Sequence, residues 1–141
     1  DFTREVLYLG HLNGIKHELT AVENLRVAAT LDGDQVGEPA VWEALRRIGL
    51  GGFEDLPTTM LSQGQKKRVA LARLLLTGAR LWILDEPFTA LDTRAVALLE
   101  SLIAGQVARG GMVILTTHQE VTLTAGTIRR LDLGQPAGAG A

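Results

Sequence analysis

At 141 residues the chain has the length of one domain or a piece of one, since domains run to about 150 residues, and it can bury a real core. Hydrophobic residues make up 46% and charged residues 21%, with a formal net charge of −2, which excludes a disordered chain, a basic nucleic-acid-binding field and a polybasic membrane patch. Absence of cysteine excludes disulfide scaffolds, thiol catalysis and thiolate-bound zinc, and the longest apolar run, Ala95–Leu99, is far short of the ~18 residues that span a bilayer.

Asp1–Gly10 reads as a strand, because Val6, Leu7, Tyr8 and Leu9 form an apolar run ended by Gly10. His11–Leu19 is a loop holding the turn dipeptide Asn13, Gly14. Thr20 and Glu23 stand three residues apart as a capping box, so a helix starts there, with Val22, Leu25 and Ala29 on one face and Asp32 to Asp34 as its end. A second helix is expected over Pro39–Ile48, with Val41, Leu45 and Ile48 inward and Gly49 as its stop. Gly51–Thr59 is loop-like. Ser62 and Gln65 form another capping box, and the stripe Val69, Ala72, Leu76 predicts a helix ending near Gly78. Leu81–Leu84 is wholly apolar, as a strand covered on both faces would be, and Met112–Leu115 reads the same way. Between them a helix is predicted over Thr93–Arg109 on the spacing of Val96, Leu99 and Ile103. Thr127–Leu133 is a weaker strand candidate, and the Gly, Ala and Pro tail over 134–141 cannot bury enough to order itself. Alternating strands and helices call for a mostly parallel α/β sheet, while the strand-free stretch from Thr20 to about Pro57 reads as an inserted helical subdomain.

The chemistry gathers at strand ends. Asp85 and Glu86 follow Leu81–Leu84, at the carboxyl end where open α/β sheets place ligands. An acidic pair there suits phosphoryl transfer, with Asp85 holding Mg²⁺ and Glu86 polarising the attacking water; the same pattern also fits a strand ending in a polar turn. Ser62, Gly64 and Gln65 open a helix whose unpaired N–H groups and positive end suit a phosphate, although a Ser-x-x-Gln box also serves as an ordinary cap. Lys66, Lys67 and Arg68 read as a solvated face rather than a phosphate clamp. His118 follows a strand and could donate to a γ-phosphate oxygen or hold a structural place, and Asp92 alone reads as a helix N-cap. The three histidines are too scattered for a metal cluster, and no signal segment opens the chain, so a cytosolic setting is the default.

In this order the motifs resemble the ABC ATPases: Leu61–Gln65 is similar to their signature loop, Leu81–Glu86 to the Walker B strand, Thr89–Asp92 to the D-loop and His118 to the switch histidine. Within that superfamily the wording of Leu7–His11, Gly14–Lys16, Leu19–Leu25, Ala79–Ala90 and Ile114–Gln119 resembles the cytochrome c maturation, or haem exporter, ATP-binding subunits. The resemblance implies a P-loop NTPase-like α/β domain with an inserted helical subdomain: residues 1–19 a partial core strand and Q-loop, 20–77 helical with the signature, 78–133 the remaining core. It implies ATP and Mg²⁺ as ligands, Glu86 as catalytic base, His118 as γ-phosphate sensor and Asp85 at the Mg²⁺ site. Ser62, Gly64 and Gln65 would touch the γ-phosphate of ATP held by the opposite subunit of a head-to-tail dimer, and Asp92 would couple the two subunits. All these groups are expected to serve a shared triphosphate. His11 stands where most of the superfamily has the Q-loop glutamine, and Gln63 stands where the signature has a small residue. Partners implied are integral-membrane cytochrome c maturation subunits at the cytoplasmic face of the bacterial inner membrane, with no nucleic acid. Haem would be handled by the complex and not by this chain.

The sequence holds no Gly-x-x-x-x-Gly-Lys-Ser/Thr phosphate cradle. The expectation is therefore the C-terminal part of a longer gene product, which alone binds nucleotide weakly, does not hydrolyse it, and exposes apolar sheet where a missing helix would pack. Three rivals stay open: another ABC exporter, a non-transport ABC protein acting on DNA or ribosomes, and a non-catalytic remnant that serves as an interaction module.

Overall fold

The three apolar runs pair as expected. In the computed structural model, which describes residues 5–10 and 14–116, β1 (Val6–Leu9), β2 (Leu81–Asp85) and β3 (Met112–Thr116) form a parallel sheet in the order β1-β2-β3. The register sets Leu9 beside Leu84 and Asp85 beside Thr116. Parallel pairing needs crossover connections, and the two here carry α1 (Ala21–Leu31), α2 (Glu38–Arg47), α3 (Gln63–Leu71) and α4 (Thr93–Ala108).

Both capping boxes form. Thr20 Oγ1 accepts from Glu23 N at 3.1 Å while Thr20 N donates to Glu23 Oε1 at 2.9 Å, and Asp32 ends α1 as expected. Asn24, nearly buried on α1, accepts from Lys16 N at 2.7 Å and donates to Lys16 O at 2.9 Å, which pins the preceding loop to the helix. Thr58, wholly buried, ties a short 3₁₀ turn at Thr58–Met60 back to that loop through Leu19 O. Arg73 and Asp32 form a largely buried ion pair at 2.8 Å between the end of α1 and the segment after α3.

One side of the sheet carries the core. Leu7, Leu9, Trp82 and Leu84 are buried in one cluster with Leu25, Leu45, Val69, Leu71, Leu99 and Ile103 from the four helices. Each such side chain contributes about 1.5–3 kcal/mol over its exposed state. The opposite row differs from the two-sided cover expected for β2 and β3. Val6, Tyr8, Met112 and Ile114 are 39%, 54%, 63% and 50% exposed, and Leu81 and Ile83 only half-buried. The physical reason is that α1 to α4 all pack on the Leu7 and Trp82 side, so among the described residues the other face lacks a covering layer. That open row matches the expected exposure of apolar sheet.

The helix from Ser62 also ends sooner than its stripe suggests. Backbone bonding is α-helical to Leu71 and tightens to a 3₁₀ turn over Ala72–Leu75, where Leu76 N bonds Arg73 O at 3.1 Å. The strand expected over Thr127–Leu133 and the tail over 134–141 lie outside the described residues.

Candidate functional site

Asp85 is the last residue of β2, and its carboxylate is held from both neighbouring strands. Thr116 Oγ1, its register partner on β3, donates to Asp85 Oδ1 at 2.6 Å, and the Tyr8 hydroxyl on β1 donates a long bond to Oδ2 at 3.4 Å. Alternation along a strand puts Tyr8, Asp85 and Thr116 on one face, the open one. The result is an oriented, partly exposed pair of hard oxygen donors. That suits Mg²⁺, which takes one or two carboxylates and keeps several waters. Among the described residues no cluster of three or more His, Cys, Asp or Glu offers a closed metal cage.

Glu86 leaves the strand in the left-handed region, at φ +52°. For a non-glycine residue that conformation costs about 1–3 kcal/mol and persists only where the surroundings over-determine it. Here both sides of the residue are fastened. Glu86 N donates to Thr116 O at 2.8 Å, and Glu86 O accepts from Lys67 Nζ at 3.0 Å and from Thr89 N at 3.4 Å. The chain then turns over the buried Phe88 to Ala90, also left-handed at φ +67°, and enters α4 through Asp92.

The turn at Ser62–Gln65 lies against this segment. Ser62 Oγ accepts from Gln65 N at 3.1 Å and Gln65 Oε1 from Ser62 N at 2.8 Å, so the first turn of α3 is fixed by its own side chains. The amides of Gln63 and Gly64, in that first turn, have no intrahelical acceptor, and a serine oxygen that accepts from Gln65 can still donate its hydrogen to an anionic oxygen. A Cβ on Gly64 would stand 3.2 Å from Ala90 O, so glycine is what lets the two turns approach. Gln63, where the family pattern has a small residue, is exposed and leaves that approach unobstructed.

The structure corrects the reading of Lys66, Lys67 and Arg68 as a solvated face. Lys66 and Arg68 are half-buried, and Lys67 is buried. Lys67 is 4% exposed, and burial pushes its ammonium below the usual lysine range, against the upward pull of Glu86 and Asp85. Arg68 donates from Nη1 to Ile48 O at 2.8 Å and from Nη2 to Asp92 Oδ1 at 3.0 Å, joining α2, α3 and α4. Asp92 caps α4 by accepting from Ala95 N at 2.9 Å, and that bond, with the Arg68 charge, holds its carboxyl below the usual range.

Of the residues singled out in the sequence, the structure therefore brings Asp85, Glu86, Ser62, Gly64, Gln65 and Asp92 into one contiguous region joined by Lys67, Arg68 and the Gly64–Ala90 approach. His11 and His118 lie outside the described residues. Tyr8, Thr116 and Lys67 were missed. Alternation on the β1 and β3 strands could have put the first two on one face with Asp85, although only the register sets them beside it, and nothing local marks Lys67. A separate cavity of about 190 Å³ opens among Ile15, Lys16, Leu25, Ala28, Val69 and Arg73, away from the acidic turn.

A model of the ABC transporter family matches residues 1–89. The chain is 54% identical over 134 residues to the cytochrome c biogenesis ATP-binding export protein CcmA of Dechloromonas aromatica (strain RCB), covering 95% of this chain and 66% of that protein. It is 52% identical to the protein of the same name from Nitrosospira multiformis, over 94% of this chain and 65% of that one. The chain thus spans just under two thirds of the length of these relatives. Among solved structures, an ATP-binding cassette described as dimeric, in a post-hydrolysis state bound to ADP and Pi, superposes with a TM-score of 0.71 at 25% identity, over 82% of this chain and 53% of that one.

Proposed function

Because the chain belongs to the ABC transporter family, and within it to the cytochrome c biogenesis ATP-binding export proteins, we propose that its described residues form the hydrolytic and signature portions of an ATP-hydrolysing export subunit. The observation that carries this reading is the acidic end of β2. Asp85 is oriented by Thr116, and the next residue, Glu86, is held in a strained backbone by bonds on both sides.

Each residue has a role that its setting supports. The Glu86 carboxylate accepts the proton of the attacking water, a general-base contribution of about 10²–10⁴ in rate. Asp85 would hold Mg²⁺, which supplies charge neutralisation on the phosphate oxygens. Ser62, Gly64 and Gln65 present amides, a hydroxyl and the positive end of α3 to the γ-phosphate of ATP on a second, head-to-tail subunit. Asp92, fixed to Arg68, holds the segment between acidic turn and α4 at that subunit boundary. His118 would sense the γ-phosphate, and His11 would stand in the Q-loop place. Residues 20–77 would serve as the helical subdomain and 78–133, of which 78–116 are described, as part of the core.

The partners we infer are integral-membrane subunits of a cytochrome c maturation exporter, with haem as the cargo of the complex. Among the described residues no helix is long and apolar enough to cross a membrane. Association with the cytoplasmic face of the inner membrane would run through those subunits, with the loop around His11–Lys16 as the contact through which motion passes.

The test is purification of the whole protein from its native membrane. Mg²⁺-dependent ATP turnover in a fraction containing integral-membrane subunits supports the reading. Recovery with nucleic acid or ribosomes instead would transfer it to the non-transport ABC proteins.

A further inference from the structure

Lysine is among the residues least often fully buried, because an ammonium taken from water loses its hydration. Lys67, the fifth residue of α3, is nonetheless 4% exposed. An apolar side chain would fill the same space without that cost, so the lysine is explained by what its Nζ reaches. It reaches the carbonyl oxygen of Glu86, at 3.0 Å and 19 residues away in sequence.

That carbonyl belongs to a residue at φ +52°. The direction of the Glu86 side chain follows from the orientation of the peptides on either side, and a left-handed residue returns to the commoner region once its restraints are removed. Thr116 O restrains the amide side, and Lys67 and Thr89 N restrain the carbonyl side. The Thr89 bond is the longer, at 3.4 Å, and comes from within the same turn. Lys67 alone of these brings its restraint from α3, whose first turn is the Ser62–Gln65 box.

We propose that Lys67 is a positioning residue for the reaction, fixing the Glu86 backbone from α3 so that the proposed base is aimed only while the Ser62–Gln65 turn is seated. This rests on the proposed role of Glu86. It makes the phosphate-facing turn and the base of one chain a single mechanical unit. Displacing the first turn of α3 draws Nζ from the Glu86 carbonyl.

The experiment compares Lys67→Met, which keeps length and packing but loses the donor, with Lys67→Arg, which keeps a donor and a charge, in the whole protein. Losing a charge-assisted bond to a group that must be aimed predicts a fall in kcat of about tenfold in the Met variant with KM for ATP unchanged. Hydrogen exchange at the Glu86 amide should quicken about tenfold as well, with Lys67→Arg retaining most of both properties. Unchanged Glu86 exchange in the Met variant overturns the proposal whatever the turnover, and so does equal damage in the Arg variant, which would make the site one of packing. If the Met variant does not fold, Lys67→Gln replaces it, with intermediate values expected and wild-type values contradicting the proposal. A wild-type protein that turns over no ATP refutes the proposed function, and the exchange measurement then decides the role of Lys67 separately.

Discussion

Gly49 closes α2 at φ +96°, and a Cβ placed there would stand 2.2 Å from Arg68 Nη1. Gly49→Ala therefore strikes twice. The left-handed backbone costs an L-residue about 1–2 kcal/mol. The methyl also drives the guanidinium off the Ile48 carbonyl, a part-buried charge-assisted bond whose loss adds about 1–2 kcal/mol. The pair with Asp92, whose side chain is 67% exposed, adds little. The expected loss is about 2–4 kcal/mol by equilibrium urea unfolding, with an unchanged m-value. In an Arg68→Ala background the clash has no partner, so the penalty of Gly49→Ala should shrink to the backbone part of about 1–2 kcal/mol. An equal penalty in both backgrounds would refute the idea that Gly49 exists to admit Arg68.

Thr116→Val keeps a residue suited to a strand but removes the hydroxyl that orients Asp85. Affinity of the whole protein for Mn²⁺, used as a Mg²⁺ probe, should fall about 10- to 100-fold, and unchanged affinity would remove Thr116 from the site. Asp92 titrates below the ordinary carboxyl value in the fold, so its stabilisation is complete above the unfolded pKa of about 3.9 and disappears as pH falls through its lowered folded value. Urea unfolding between pH 5 and pH 2.5 should show a weaker acid dependence in Asp92→Asn than in wild type; parallel curves would contradict that.

What could be read from the sequence was local in it. The boxes at Thr20 and Ser62 depend on residues three apart, and both formed as read. The β2 run ending in Asp85 and Glu86 was equally plain, since four apolar residues and two carboxylates adjoin. What escaped depends on distant partners. Thr116 and Asp85 are 31 positions apart and Tyr8 and Asp85 77, so only the sheet register unites them. Lys67 looked like part of a basic surface run because its acceptor is a main-chain carbonyl, which no side-chain pattern announces. The open face of β2 and β3 could not be inferred from their composition, because apolar residues on both faces say that cover is wanted and not whether it lies among these residues.

The most direct test of the account is Glu86→Gln in the whole protein, with ATP binding and ATP turnover measured on the same sample. The amide keeps the size of the side chain and the backbone bonds to Thr116 and Lys67 while removing the base. Binding should stay within about twofold while turnover falls by about 10²–10⁴. Turnover close to wild type would show that the carboxylate at the end of β2 is not the group that activates water.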